Sequence, residues 1–373
     1  MALPAELPIR ENVPLAPRTT LELGGPARFF LTAEDDRTVA AGLRWARAKG
    51  VPAYLLGGGS NLVVSDAGVD GLVIGLAQRG VRRGPGGSWA VAAGEPWDDL
   101  VAATVTAGHA GLECLSGIPG LVGATPIQNV GADGQQVEET VVEVRALDRT
   151  TLEEVRLDAR ACAFAYRDSR FKREPGRFAV LGVTFRLAPG GAPTVRYAEL
   201  EGALEGRAVD LRTVRDTVLA LRARKSMVIA PADPNRRSAG SFFTNPIVPA
   251  EEAERLVHRA VQEGLVRDAG DVPRWPADGG TKLAAGWLIE RAGLGRGTRR
   301  GAVGSSSKHA LALVHHGGGT TEQLLSFAAE ARRAVADRFG VALTMEPVTW
   351  GVRPPWVEPG APALAAGPSA GCS

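Results

Sequence analysis

Between Gly111 and Gly134 the chain sets six glycines, at 111, 117, 120, 123, 131 and 134, around Pro119 and Pro126. Such a segment makes neither a long helix nor a central strand, because glycine is costly in both and proline removes a backbone donor. It must therefore be a shaped loop. Glycine lets a backbone approach a ligand and present bare N–H groups, and Ser116, Thr125, Gln128 and Asn129 add short polar side chains. An anionic cofactor suits that chemistry. A tight structural crossover is the alternative, and this stretch alone leaves both open.

A second glycine loop lies earlier. Val51-Pro-Ala-Tyr-Leu-Leu reads as a strand ending in Gly57-Gly58-Gly59-Ser60-Asn61, and Leu62, Val63 and Val64 read as another strand. A dinucleotide fingerprint or a Walker loop needs its glycines to open a helix, and no Lys-Ser or Lys-Thr pair follows here. Strand, glycine loop, strand is thus a different arrangement, with a simple hairpin as the competing reading.

Composition narrows what the loops can serve. The 373 residues, 45% hydrophobic and 23% charged, suffice for two or three domains of about 100–200 residues each. A net charge of +2 with no concentrated Lys/Arg run does not make a nucleic-acid footprint. Cys114, Cys162 and Cys372 are widely spaced and lack histidine at ligand spacing, which argues against a disulfide framework or zinc site and for a reducing compartment. His315 and His316 read as strand-end residues, because no carboxylate or thiol stands at metal-ligand spacing; no metal is expected. The N-terminus lacks a basic flank with an apolar core, and no run approaches the roughly 18 apolar residues of a spanning helix. These features read as a cytoplasmic protein that needs neither membrane nor nucleic acid.

In chain order, residues 1–20 read as an extended lead-in, and Thr38–Lys49 as a helix with Val39, Leu43 and Ala46 at helical spacing. Strands are expected at Gly71–Gly75 and Trp89–Gly94, a helix at Trp97–Ala107, and strands at Val137–Leu147 and Phe178–Leu187. Between the last two lies Tyr166-Arg167-Asp168-Ser169, where Asp168 is a neighbour able to orient Arg167, or else to make a surface ion pair with it. Leu211–Lys225 is an amphipathic helix ending in Arg222-Ala-Arg224-Lys225, basic residues that either cap the helix or clamp a phosphate. A proline-broken linker from Pro231 precedes Ser238-Ala-Gly-Ser241-Phe242-Phe243-Thr244-Asn245, in which Ser241 lacks a nucleophile elbow yet can serve as a proton donor. Helices follow near Pro249–Glu263 and at Thr321–Phe339, with a short strand at His309–His315. Val341–Trp350 reads as a final strand carrying Glu346 beside Pro347, and beyond Arg353 the Pro, Ala and Gly content implies a disordered tail.

Five of these motifs, Gly57–Asn61, Ile118–Gly131, Tyr166–Lys172, Gly240–Pro246 and Glu346, stand in the order found in UDP-N-acetylenolpyruvoylglucosamine reductases, and from about Asn12 to Trp350 the chain resembles that family. The resemblance implies an α+β architecture: the two-lobed FAD-binding fold of the vanillyl-alcohol oxidase type at residues 12–76 and 77–228, and a third, substrate-binding α+β lobe at 235–352. It implies FAD and NADPH as cofactors, a UDP-sugar enolpyruvyl ether as substrate, and a monomer. FAD contacts then fall on Gly57, Gly58, Gly59, Ser60 and Asn61, and on Ser116, Ile118, Pro119, Gly120, Gly123, Ala124, Thr125, Gln128, Asn129 and Gly131. Arg167 matches the arginine that holds the enolpyruvyl carboxylate, Ser241 the proton donor and Glu346 the acid beside that carboxylate. Tyr166, Tyr197, Lys225 and Asn245 match substrate contacts, with Tyr197 the tyrosine of the first subtype that closes over the UDP moiety. Two positions depart from the pattern: Asp133 stands where the family often has tyrosine, and the linker after Lys225 is longer than the short form.

The reaction implied is reduction of UDP-N-acetylglucosamine enolpyruvate to UDP-N-acetylmuramate through FAD. Charge developing on the enolpyruvyl carboxylate would be met by Arg167, and Glu346 would be most useful there with a raised pKa. A flavin oxidase of the same fold and a non-enzymatic nucleotide-sugar binding protein are the rival readings. Cys114 is the nearest thiol to the second loop for a covalent flavin.

Overall fold

Helix boundaries follow local chemistry. The computed structural model describes residues 7–357, so the start of the lead-in at 1–6 and the tail from 358 lie outside the described residues. Asp35 accepts a hydrogen bond from Thr38 N at 2.7 Å and caps a helix over Asp36–Lys49, which Gly50 closes at φ 66°. Its buried Val39, Leu43 and Ala46 pack with Leu31, Leu72 and Ile74 of a four-stranded sheet. That sheet runs Arg10–Pro14, Pro26–Ala33, Val69–Leu76, Ala53–Leu56; the first pair is antiparallel and the others parallel.

The parallel pairing decides the hairpin question. Ala53–Leu56 lies beside Val69–Leu76, whereas Leu62–Val64 pairs in parallel with Val348–Trp350 near the other end of the chain. Gly57–Asn61 therefore links strands of two different sheets and is no hairpin.

A second, wholly antiparallel sheet runs Glu153–Asp158, Val141–Asp148, Phe178–Arg186, Ser88–Ala92, Val81–Arg83. The helix Trp97–Thr106 lays Trp97, Leu100 and Val101 on it, in one core with Trp89 and Phe185. Residues 137–139 are not strand as expected: Gln136 and Glu139 form a capping box that winds them into a 3-10 turn.

The third sheet runs Ser238–Ser241, Ala312–His315, Val303–Ser305, Arg299–Arg300. The helix Thr321–Phe339 buries Leu324, Leu325, Phe327, Ala328, Ala331, Val335 and Phe339, the face expected from its spacing. The final segment differs from expectation. Only Val348–Trp350 is strand, because Pro347 cannot donate to a ladder; before it, Met345 forms an isolated bridge with Phe243. The chain thus returns across the third sheet to the first glycine loop. No helix among the described residues is long and apolar enough to cross a membrane.

Candidate active site

The two glycine loops touch. A Cβ at Gly58 would sit 2.7 Å from Gly120 Cα, so only glycine permits the approach. Ser60 Oγ ties the contact by donating to Pro119 O at 3.0 Å. Among the described residues, the N–H groups of Gly58, Gly59, Ser60, Ile118, Gly120 and Leu121 donate to no backbone carbonyl. Two facing loops with unclaimed donors form a cradle for a diphosphate, which fits the dinucleotide part of FAD.

The cradle opens into a cavity bordered by Ser60, Asn61, Ile118–Leu121, Ala124, Thr125, Gln128, Gly131, Asp133, Arg167, Arg222, Lys225, Ser241 and Glu346. A second cavity, sharing Ser60, Asn61, Ala124, Gln128 and Glu346, adds Gly57, Gly58, Gly59 and Lys172. Ser116, Gly123 and Asn129 border neither cavity. Ser116 Oγ donates to Glu113 O at 2.6 Å, a Cβ at Gly123 would meet Ala93 Cβ at 2.6 Å, and Asn129 Nδ2 donates to Ala165 O at 2.8 Å. These three shape the loop from behind.

Arg167 sits at φ 52° in a turn closed by reciprocal backbone bonds between Ala165 and Asp168 at 3.0 Å. The expectation that Asp168 orients it does not hold, since Asp168 pairs with Arg173. Instead Arg167 Nη2 donates to Gly131 O at 2.5 Å, Nη1 to Asn129 O at 3.5 Å, and Nε lies 3.5 Å from Glu346 Oε1. Backbone carbonyls of the second glycine loop thus aim the guanidinium, and each Nη keeps one N–H for a ligand.

Glu346 is placed from both sides. Its N–H donates to Phe242 O at 3.0 Å, and Asn61 Nδ2 donates to its carbonyl at 3.4 Å. Burial raises its carboxyl above the usual range, while Arg167 and Lys172 oppose the shift. Lys172 Nζ donates to Arg167 O at 2.8 Å and Gln128 Oε1 at 3.3 Å, and burial lowers its pKa. Lys172 closes the Tyr166–Lys172 motif, where the sequence reads it as a surface charge; its spacing of five from Arg167 carries no signal that would place it beside the guanidinium.

Ser241 owes its direction to an irregularity. Ser238 pairs with Val314 but Ser241 with Ala312, so one strand carries an extra residue, and Gly240 takes it up at φ 71°. Ser241 Oγ makes no hydrogen bond with any described residue, while its neighbours Phe242 and Phe243 are fully buried. Asn245 Oδ1 accepts from Ala285 N at 2.9 Å, and the Tyr166 ring carries Lys282 Nζ at 4.8 Å.

Lys225 caps the helix Leu211–Arg224 and pairs with Glu199, two residues beyond Tyr197. Tyr197 packs partly buried on the cluster of Leu200, Val214, Val218 and Leu221 rather than over the cavity. Cys114 lies in that same cluster, borders neither cavity, and donates to Thr194 O at 3.1 Å. His315 Nδ1 faces Leu21 O at 3.0 Å and its Nε2 accepts from Gly319 N at 3.0 Å, binding the lead-in to the third sheet.

Comparison with known proteins agrees along the chain. A family model for the C-terminal domain of UDP-N-acetylenolpyruvoylglucosamine reductase matches residues 233–350, and one for an FAD binding domain matches residues 27–154. The UDP-N-acetylenolpyruvoylglucosamine reductase of Streptomyces coelicolor is 50% identical over 353 residues, covering 92% of this chain and 91% of that protein. The Thermobifida fusca protein of that name is 48% identical over 351 residues, covering 91% and 98%. Among solved structures, the UDP-N-acetylenolpyruvylglucosamine reductase of Thermus caldophilus superposes with a TM-score of 0.62 at 26% identity, covering 92% of this chain and 99% of that one.

Proposed function

The chain belongs to the UDP-N-acetylenolpyruvoylglucosamine reductase family, and we propose that the cavity between its glycine loops and third sheet is where that reaction takes place. The protein is an FAD-dependent oxidoreductase of peptidoglycan precursor synthesis that reduces UDP-N-acetylglucosamine enolpyruvate to UDP-N-acetylmuramate. Residues 12–76 and 77–228 are assigned to FAD and 235–352 to the substrate. Bound FAD supplies the hydride carrier between NADPH and the enolpyruvyl ether. The facing loops of Gly57–Asn61 and Ile118–Leu121 hold its diphosphate.

The protein's own residues then divide the work. Arg167 holds the enolpyruvyl carboxylate through its two unspent Nη donors and stabilises the charge that grows there, a contribution commonly of about 3–4 kcal/mol per donor. Glu346, whose carboxyl burial raises against the pull of Arg167 and Lys172, sits beside that carboxylate. Ser241 Oγ, with no hydrogen-bond partner in the protein, delivers the proton to the carbon beside the one that receives hydride. Tyr166 and Asn245 line the approach, and Lys225, on the cavity wall, meets the diphosphate end of the sugar nucleotide. A cytoplasmic location is supported by Cys114 and Cys162, both buried free thiols. A monomer completes the proposal.

The observation that carries these roles is the convergence of Arg167, Ser241 and Glu346, from three separate stretches of chain, on one cavity bordered by both glycine loops. A spectrum tests it. The purified protein should be yellow, bleach with NADPH under argon, and recolour on adding the enolpyruvyl substrate. Rapid recolouring by air alone would identify an oxidase instead.

A further inference from the structure

Arg167 stands where the backbone resists it. Its φ of 52° lies in the left-handed region, which a residue with a long side chain keeps only when its surroundings over-determine it. The reciprocal backbone bonds of Ala165 and Asp168 close the turn around it but leave the Arg167 carbonyl to another partner. That partner is Lys172, whose Nζ donates to Arg167 O at 2.8 Å and to Gln128 Oε1 at 3.3 Å.

Lys172 differs from the other cations of its helix. Arg170–Arg173 is a single turn capped by Ser169, whose Oγ accepts from Lys172 N at 3.4 Å and donates to Ile127 O at 2.8 Å. On that turn Arg170 pairs with Glu174 at 2.6 Å and Arg173 with Asp168, all partly exposed. Lys172 turns the other way, to the second cavity beside Gln128 and Glu346. Among the described residues no carboxylate lies within 4.0 Å of its Nζ, and both of its bonds go to neutral oxygens. Burial and the neighbouring Arg167 lower its pKa, while Glu346 and Asp168 oppose them. A cation kept half-buried beside another cation, without a carboxylate of its own, carries a cost that packing alone does not explain.

The groups that the lysine joins explain it. Gln128 ends the helix Thr125–Gln128 of the second glycine loop and borders both cavities. The same loop supplies Gly131 O and Asn129 O to the Arg167 guanidinium. The side chain of Arg167 is thus fixed by loop carbonyls and its main chain by Lys172, and both anchors rest on residues 128–131. Resting on the function proposed above, we propose that Lys172 is a positioning residue for the reduction: by bridging Arg167 O and Gln128 Oε1 it locks the left-handed turn from which Arg167 grips the enolpyruvyl carboxylate. It acts through Arg167 and not on the substrate.

A double-mutant cycle on single-turnover reoxidation tests this. FAD-loaded protein is reduced with NADPH under argon and mixed with the enolpyruvyl substrate, in wild type, Lys172→Met, Arg167→Met and the double variant, with flavin absorbance per chain measured for each. Lys172→Met should slow reoxidation about tenfold, the weight of one hydrogen bond from a charged donor. In the Arg167→Met background the same change should alter the rate by less than about twofold, because the guanidinium it positions is gone. Lys172→Arg, which keeps a charged donor, should recover part of the loss. If Lys172→Met does not fold, Lys172→Gln takes its place in the cycle. A wild-type rate in the single lysine variant, a loss of the same size in the Arg167→Met background, or loss of FAD from the lysine variant overturns the proposal and leaves the reductase reading intact. Wild-type protein whose reduced flavin is not reoxidised by the substrate overturns that reading instead.

Discussion

The two sides of the second glycine loop treat polar groups in opposite ways. Behind it, Glu113 is wholly buried, accepts from Gly111 N at 2.7 Å through Oε2, and through Oε1 from Thr194 N at 2.7 Å and Gln135 Nε2 at 3.2 Å. Gln135 Oε1 in turn accepts from Cys114 N at 3.0 Å. In front of it, Glu346 has one cation at 3.5 Å, Ser241 Oγ has no hydrogen bond with a described residue, and Arg222 Nε has none either. Saturated groups hold a fold together; groups left short are held ready for a ligand. The same loop serves both ends, its back as a structural clasp and its front as a binding wall.

This contrast can be broken by variants on either side. The largest effect is expected at the loop contact itself: Gly58→Val drives a branched side chain into Gly120 and should leave protein that purifies colourless, checked by the flavin absorbance per chain. Full flavin occupancy would show that the contact is not the cradle. Arg167→Lys, on the front, loses the planar fork, so turnover should fall on the order of 10²-fold while melting stays near wild type. Retained turnover would place the carboxylate clamp elsewhere.

On the back, Glu113→Ala strands three donors and should cost about 3 kcal/mol in a denaturant titration, with turnover per folded molecule nearly intact. A catalytic loss without destabilisation would erase the distinction between the two sides. A smaller effect is expected at Asp233, at the entry to the third sheet. There burial raises the carboxyl, but bonds from Ser226, Asn235 and Lys308 outweigh it and hold it at about 2. A lowered carboxyl pKa stabilises the fold above the unfolded value of 3.8, and that stability drains away as pH falls through about 2. Asp233→Asn should thus be less stable than wild type by roughly 2 kcal/mol at neutral pH, with the gap closing on acidification. A gap independent of pH would contradict the bonding scheme.

Much of the front was legible from residues. Glycine clusters between strands announce backbone approach, and the helix Thr321–Phe339 could be read from its apolar face because burial repeats every turn. What escaped reading depends on distant partners. Glu153–Asp158 is a polar edge strand whose apolar positions, Val155 and Leu157, are too few to announce an alternation. Gly57–Asn61 resembled a hairpin because nothing nearby tells that Leu62–Val64 pairs with a strand that begins at Val348. Asp168 was the obvious sequence neighbour for Arg167, yet the turn points its carboxylate to Arg173 and leaves Gly131 O and Asn129 O to aim the guanidinium. The orphaned Nε of Arg222 has no sequence signature, since it is defined by an acceptor that is missing in space.

Ser241 puts the contrast to its most direct trial. Stopped-flow absorbance of Ser241→Ala should separate the two half-reactions: flavin bleaching by NADPH near the wild-type rate, and reoxidation by the enolpyruvyl substrate slowed on the order of 10²–10⁴-fold. Reoxidation at the wild-type rate, with the variant merely less stable, would show that the hydroxyl facing the cavity is part of the structure and that the proton comes from another group.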